Sequence, residues 1–355
     1  MTAGSAGPDA CRIIECHRRQ TRRLAAVVAL LGLSIVLSLL LDLLTGPSGL
    51  SPADLWGALT GAPDTAPAIR VIVWQVRLPT ALLALLVGAA LSLAGAEMQT
   101  IHDNPLASPF TLGVSSAAAF GAALAIVLGL GLPFLPPQLT VVANAFLFAF
   151  ASVLFLQLLA RGGRSDVATL VLFGIALVFT FNALVALLQL VASPDSLQQL
   201  VFWGMGSLAE ADWPAVVILA GVVAAVVPFS LFSAWRMTAL RLGDERARSY
   251  GVDVGRLRFQ SLLRASLLAA TAVAFVGTIG FVGLVGPHVA RLLTGEDHRF
   301  FLPASLLTGA LVMSLASILS KALVPGLLLP VGIVTSLVGL PVFILLVHRS
   351  RRPQA

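Results

Sequence analysis

The chain has 355 residues, of which 58% are apolar and only 11% charged, and its mean hydropathy is +0.98. That balance excludes an ordinary soluble domain and fits an all-α polytopic membrane protein. The formal net charge of +6 sits on arginines in the polar segments, so the basic character is a signal of membrane orientation and not of nucleic-acid binding.

Residues 1–23 form a polar, basic tail with Arg12, Arg18, Arg19, Arg22 and Arg23, and with both cysteines, Cys11 and Cys16. Two thiols in a cytoplasmic tail predict neither a disulfide nor a metal site. The membrane domain is expected over 24–348, followed by a short tail at 349–355. Its first apolar run, 24–44, is long enough to cross about 30 Å of hydrocarbon. It is too long for the core of a cleaved signal and no A-x-A site follows, so it reads as a span. A loop rich in Pro, Gly and Asp occupies 45–77. Further spans are expected at 80–99, 112–130, 139–159, 167–191, 213–235, 259–280, 282–293, 303–323 and 331–347, about ten transmembrane helices in all. The eighth is short and holds Pro287 and His288.

Between the sixth and seventh spans lies the most polar stretch, 236–258, with six arginines and three acids in 23 residues. Gly243-Asp244-Glu245 predicts a helix start, because acids suit the positive end of a helix dipole. Charge alone favours a solvated loop that fixes orientation over a short helix built to receive force from a soluble partner.

With the N-terminus inside, the inward segments hold five basic residues in the tail, two at 161–164, six at 236–258, two at 291–299 and three at the C-terminus. The outward ones hold only Arg70, Arg77 and Lys321. This asymmetry predicts that both termini are cytoplasmic. Spans two to five and seven to ten then begin on opposite sides, so any internal repeat is inverted. Gly88-Ala89-Ala90 and Ala94-Gly95-Ala96 in the second span, and Gly277, Gly280 and Gly283 near the seventh, allow close helix approach.

Charge inside the spans is scarce. Glu97 lies near the inner end of the second span and Asp42 near the outer end of the first. Without a carboxylate at mid-membrane, an ion-coupled secondary transporter is disfavoured. Asn144, Gln157, Asn182 and Gln189 are polar positions within spans. Asn182 and Gln189 are seven apart on one face of the fifth span, where they either line a pathway or hydrogen-bond between helices. His17, His102, His288, His298 and His348 read as structural, and no metal-ligand set is expected. No Ser/His/Asp or Cys/His arrangement suggests an enzyme. The chain contains no G-x-x-x-x-G-K-[ST] sequence, so any ATP that drives it binds another polypeptide.

Six stretches carry a resemblance. They are W-Q-V-R-L-P-T at 74–80, G-A-A-L-S-L-A-G-A-E-M-Q-T-I-H-D-N-P-L-A-S-P-F-T-L-G at 88–113, and F-W-G-M-G-S-L at 202–208. The others are L-G-D-E-R-A-R-S-Y-G-V at 242–252, G-T-I-G-F-V-G-L-V-G-P-H-V-A-R-L-L-T-G-E-D-H-R at 277–299, and L-P-V-G-I-V-T-S-L-V-G-L-P-V-F at 329–343. In this order they closely resemble the FecCD permease family, the membrane subunits of type II ABC importers for iron-siderophores, haem and vitamin B12. The resemblance extends over about 24–350.

The resemblance implies a ten-span type II ABC importer permease fold in the bacterial inner membrane. It implies a permease homodimer or heterodimer, two ATP-binding cassette subunits that carry ATP and Mg, and a periplasmic substrate-binding protein. The chain itself would hold no cofactor, metal or nucleic acid; its surroundings are membrane lipid. Leu242, Gly243, Asp244, Glu245, Arg246, Ala247, Arg248 and Tyr250 match the family's coupling helices. Asn104-Pro105-Leu106-Ala107 matches a hallmark loop with an expected structural role. Arg77 and Lys321 match positions that dock the binding protein. Thr80 stands where many relatives carry a second arginine, and Ala316-Ser317 where Ala-Asp is usual, so Arg70 is a further docking candidate. The gate at the start of the fifth span falls near Val167, Ala168 and Thr169. N-P-L-A-S-P-F-T-L-G ranks ferric siderophore ahead of haem and cobalamin as cargo. The readings from other classes are a secondary transporter and a passive channel.

Overall fold

The structure, a computed structural model, describes residues 8–131, 135–161, 167–324 and 327–350. Among them all regular structure is helical. In chain order the helices are α1 (Pro8–Leu44), α2 (Pro52–Thr60), α3 (Pro67–Val71), a π-helical segment (Ile72–Arg77) and α4 (Leu78–Ile101). Next come α5 (Val114–Leu128), α6 (Pro137–Arg161), α7 (Val167–Val191), α8 (Pro194–Gly204), α9 (Trp213–Phe232), α10 (Ala234–Leu240) and α11 (Asp244–Ser249). The last four are α12 (Val254–Val276), α13 (Val282–Thr294), α14 (His298–Ala322) and α15 (Val331–Ser350).

Seven of the described helices are long and apolar enough to cross a membrane. The expected third and eighth spans are shorter, as α5 and α13, and the expected tenth lies within α15, Val331–Ser350. At 15 residues α5 rises only about 22 Å, less than a full hydrocarbon core. Two boundaries differ most from expectation, while α12 and α14 each begin five residues before the expected seventh and ninth spans. The basic tail is helical from Pro8 and continuous with the first span, since neither Pro nor Gly interrupts the sequence from Asp9 to Leu31. The second span begins upstream of 80, because α3 and the π-helical segment run directly into α4 as one 35-residue rod. α2, in the 45–77 loop, is set by a capping box. Ser51 Oγ accepts from Asp54 N at 3.1 Å and the Asp54 carboxylate accepts from Ser51 N at 3.0 Å. The Ser51 hydroxyl, which also donates to the Asp54 carboxylate at 2.7 Å, and the Ser51 N–H hold the Asp54 carboxyl below its ordinary pKa.

α4 is the spine of the bundle, packed against α9, α12, α13 and α14. Its small residues let neighbouring backbones come close. A Cβ on Gly88 would lie 2.2 Å from Gly309 O, and one on Gly95 would lie 1.9 Å from Gly283 O. α12 ends at Val276, where Gly277 takes a φ of +73° and the chain stays irregular to Phe281 before α13 begins.

Candidate functional site

The sequence-predicted residues gather at two ends of the bundle. At the arginine-rich end, Gly243 adopts a φ of +98°, which breaks the chain from α10 and starts α11. Asp244 and Glu245 occupy the first turn as expected, but no side chain caps the helix. The Asp244 carboxylate turns instead to Arg258 at the foot of α12, accepting two hydrogen bonds of 3.0 and 2.9 Å. Ala247 is fully buried, with Val252 and Val254 buried beside it. These contacts fix one face of α11. The other side is open: Leu242 is 50% and Tyr250 60% exposed, and Glu245, Arg246 and Arg248 are exposed with them. Two aliphatic or aromatic groups thus stand among three charges on a short rigid elbow. Such a composition suits contact with a soluble protein.

Behind the elbow, polar contacts tie four segments together. Arg258 Nε donates to Ile101 O, one of the open carbonyls at the end of α4, at 3.1 Å. Arg241 pairs with Asp103 and, at 3.2 Å, with Glu296, which also meets Arg291 at 3.2 Å. His298, fully buried, lies 2.8 Å from Thr100 Oγ1 through Nε2 and 2.9 Å from Glu296 O through Nδ1. Its backbone N–H meets Thr238 Oγ1 at 3.1 Å. Asp297 caps α14 and bonds Arg299, which holds its carboxyl below the usual range. His102 follows the last residue of α4; burial, reinforced by the charge of Arg258, pushes its pKa down to about 4. In the hallmark loop, Asn104 Oδ1 accepts from Leu106 N at 2.9 Å and folds the turn on itself.

One pair was not expected. Arg264, within α12, forks onto Glu97 of α4 through bonds of 3.1, 3.2 and 2.9 Å. Glu97 is fully buried and the Arg264 side chain is 11% exposed. The sequence signal was a lone arginine in an apolar run.

At the opposite end the expected docking cations are turned inward. Lys321 Nζ donates to the buried Asp42 carboxylate at 2.8 Å, and Ser317 Oγ joins it at 3.1 Å. Arg77 is 4% exposed and donates to Leu43 O and to both oxygens of Ser48. Arg70 donates to Gly61 O at 3.3 Å and to Ala62 O. In this structure all three cations are therefore held by the chain's own groups. Asp42 is buried and needs a cation, and the carbonyls at the end of α1 attract the Arg77 guanidinium.

On α7, Asn182 and Gln189 are both exposed, as are Leu172, Phe179, Leu187 and Leu190. Val167, Ala168 and Thr169 open this helix; their side chains lie outside the described residues.

The FecCD transport family model matches residues 33–349. The chain belongs to the FecCD transport family. It is 36% identical to the hemin transport system permease protein HmuU of Yersinia pestis, over 92% of this chain and 97% of that protein. It is also 36% identical to the vitamin B12 import system permease protein BtuC of Citrobacter koseri, over 95% of this chain and 97% of that one. A solved metal-chelate type ABC transporter in an inward-facing conformation matches with a TM-score of 0.81 at 32% identity, covering 92% of this chain and 99% of that chain. This FecCD chain is thus a multi-pass permease subunit of a type II ABC importer, which removes the secondary-transporter and passive-channel readings.

Proposed function

We propose that this permease works as a pair on two ATP-binding subunits and admits an iron(III)-siderophore handed over by a separate binding protein. The observation that carries the coupling role is the elbow at α11. It is held from behind by Ala247 and by the Asp244–Arg258 bonds, and it presents Leu242, Glu245, Arg246, Arg248 and Tyr250 outward. A rigid exposed elbow passes on a push, whereas a solvated loop absorbs it. ATP and Mg belong to the partner subunits, and both termini face the cytoplasm of the inner membrane.

The exposed face of α7 supports the pairing. Amides such as Asn182 and Gln189 are poorly placed against lipid, so this face belongs toward a second permease and the pathway between the two. The gate falls at the start of this helix, near Val167, Ala168 and Thr169. Docking of the binding protein through Arg77 and Lys321 requires them to exchange Leu43 O, Ser48 and Asp42 for carboxylates of the partner, and Arg70 to leave Gly61 and Ala62.

The siderophore assignment rests on N-P-L-A-S-P-F-T-L-G at 104–113. Haem is a second reading, which fits equally and is favoured by the identity to the hemin permease of Yersinia pestis. The test is uptake into liposomes that hold the permease, its ATP-binding subunit and internal ATP. Labelled ferric siderophore, haem and cobalamin are each presented by a cognate binding protein. ATP-dependent uptake of ferric siderophore is expected. Uptake of haem alone overturns the cargo, and no uptake of any with no ATPase retained overturns the proposal.

A further inference from the structure

We infer that Glu97 and Arg264 are a positioning pair that, together with Arg258, rivets α4 to α12, so that α11, α12 and α4 move as one body. This rests on the proposed reading of α11 as the contact with the ATP-binding subunit.

The rivets stand at two depths. At the foot of the bundle Arg258 holds the Asp244 carboxylate with one edge and Ile101 O with Nε. One turn further into α4, Glu97 receives the Arg264 fork, and the same Nη2 that bonds Glu97 also donates to Ser261 Oγ at 3.0 Å. Planar guanidinium–carboxylate bonding fixes direction as well as distance. A slide of α12 along α4 by a single turn, about 5.4 Å, would leave two ions unpaired where water does not reach. Burial makes that far less favourable than moving both helices together. Between α11 and α12 only four residues intervene, and Val252 N donates back to Ala247 O at 3.1 Å, so the elbow follows α12. The spine in turn holds α13 and α14 through the Gly95–Gly283 and Gly88–Gly309 contacts. A push received at Tyr250 or Glu245 is then felt along α4 without a compliant joint between them.

A pair that merely fills space and a pair that transmits movement differ in one readout, the ATP hydrolysed per chelate imported. The test uses the whole complex in liposomes. In the double variant Glu97→Leu/Arg264→Met both charges leave together, so the core remains apolar and filled. It is expected to assemble and hydrolyse ATP within about twofold of wild type, while uptake per ATP falls roughly tenfold, within the range of coupling between distant sites. The swapped variant Glu97→Arg/Arg264→Glu is expected to recover most of that ratio. Should the double variant not assemble, Arg264→Lys decides, because it keeps the charge and loses the fork: a ratio lowered about threefold is expected. A wild-type ratio in an assembled double variant, or in Arg264→Lys where that variant decides, overturns the inference alone. Absence of ATP-driven uptake by the wild type overturns the functional reading, and the inference with it.

Discussion

α4 and α7 are nearly the same length, 24 and 25 residues, and both are apolar, yet their surroundings are opposite. Within an apolar 18-residue stretch of each span, 72% of residues are buried for the rod that ends in α4, against 6% for α7. Residue size separates them. α4 offers Gly88, Ala90, Gly95 and Ala96 to its neighbours, so backbones approach and the helix disappears into the bundle. α7 turns Leu172, Phe179, Leu187 and Leu190 outward, which prevents close approach within the subunit and leaves a boundary surface. Charge follows the same division. A carboxylate is tolerated on α4 because Arg264 arrives from α12 to meet it, whereas α7 carries only amides. The comparison separates a fixed spine from a surface free to meet another subunit.

The comparison breaks most strongly if the spine loses one member of its ion pair. Glu97→Leu leaves Arg264 as a buried, uncompensated cation and should lower stability by about 3–5 kcal/mol. Thermal unfolding in detergent should show a large fall, and the double variant should regain most of it. On α7, Asn182→Leu should change stability by less than about 0.5 kcal/mol.

Next in size is the effect of pH at the foot of α4. His102 is held neutral, its pKa down to about 4 against an ordinary 6.5. Between those values the unfolded chain takes up a proton that the folded chain refuses. Stability is therefore fully present above about pH 6.5 and declines as pH falls toward 4, by up to about 3 kcal/mol. His102→Gln should flatten this part of the profile; an unchanged profile would contradict the burial of the imidazole.

Close packing gives a somewhat smaller contrast. Gly88→Ala places a methyl 2.2 Å from Gly309 O and should cost about 1–3 kcal/mol. Gly174→Ala on α7, whose Cβ would sit 3.3 Å from Thr111 O, should cost less than half as much by the same melting measurement. Equal losses would mean that the spine is no more tightly packed than the boundary.

Much of this was legible in the sequence. Hydropathy located the long spans and Gly243-Asp244-Glu245 placed the start of α11, whereas the expected seventh span ran on to 280, past the break at Gly277. The capped starts of α2 and α8 were not anticipated, although Ser51-Pro52-Ala53-Asp54 and Ser193-Pro194-Asp195 place Pro after an N-capping serine. Partnerships across the fold were not legible. Glu97 and Arg264 are 167 positions apart, and Asp42 and Lys321 are 279 apart, so nothing local in the chain joins them. For the same reason Arg77 and Lys321 looked like outward-facing cations. Their inward turn depends on a carboxylate and on helix-end carbonyls delivered by α1, which hydropathy cannot register.

The most direct test of the central claim compares uptake per ATP hydrolysed for wild type and for Glu245→Lys, in liposomes with the ATP-binding subunit. Glu245 is exposed and its replacement leaves the Asp244–Arg258 bonds in place, so folding should be unaffected. The expected result is an unchanged melting temperature with hydrolysis that no longer drives import. Full import at the wild-type ratio would contradict the assignment of α11 as the point where the permease receives its push.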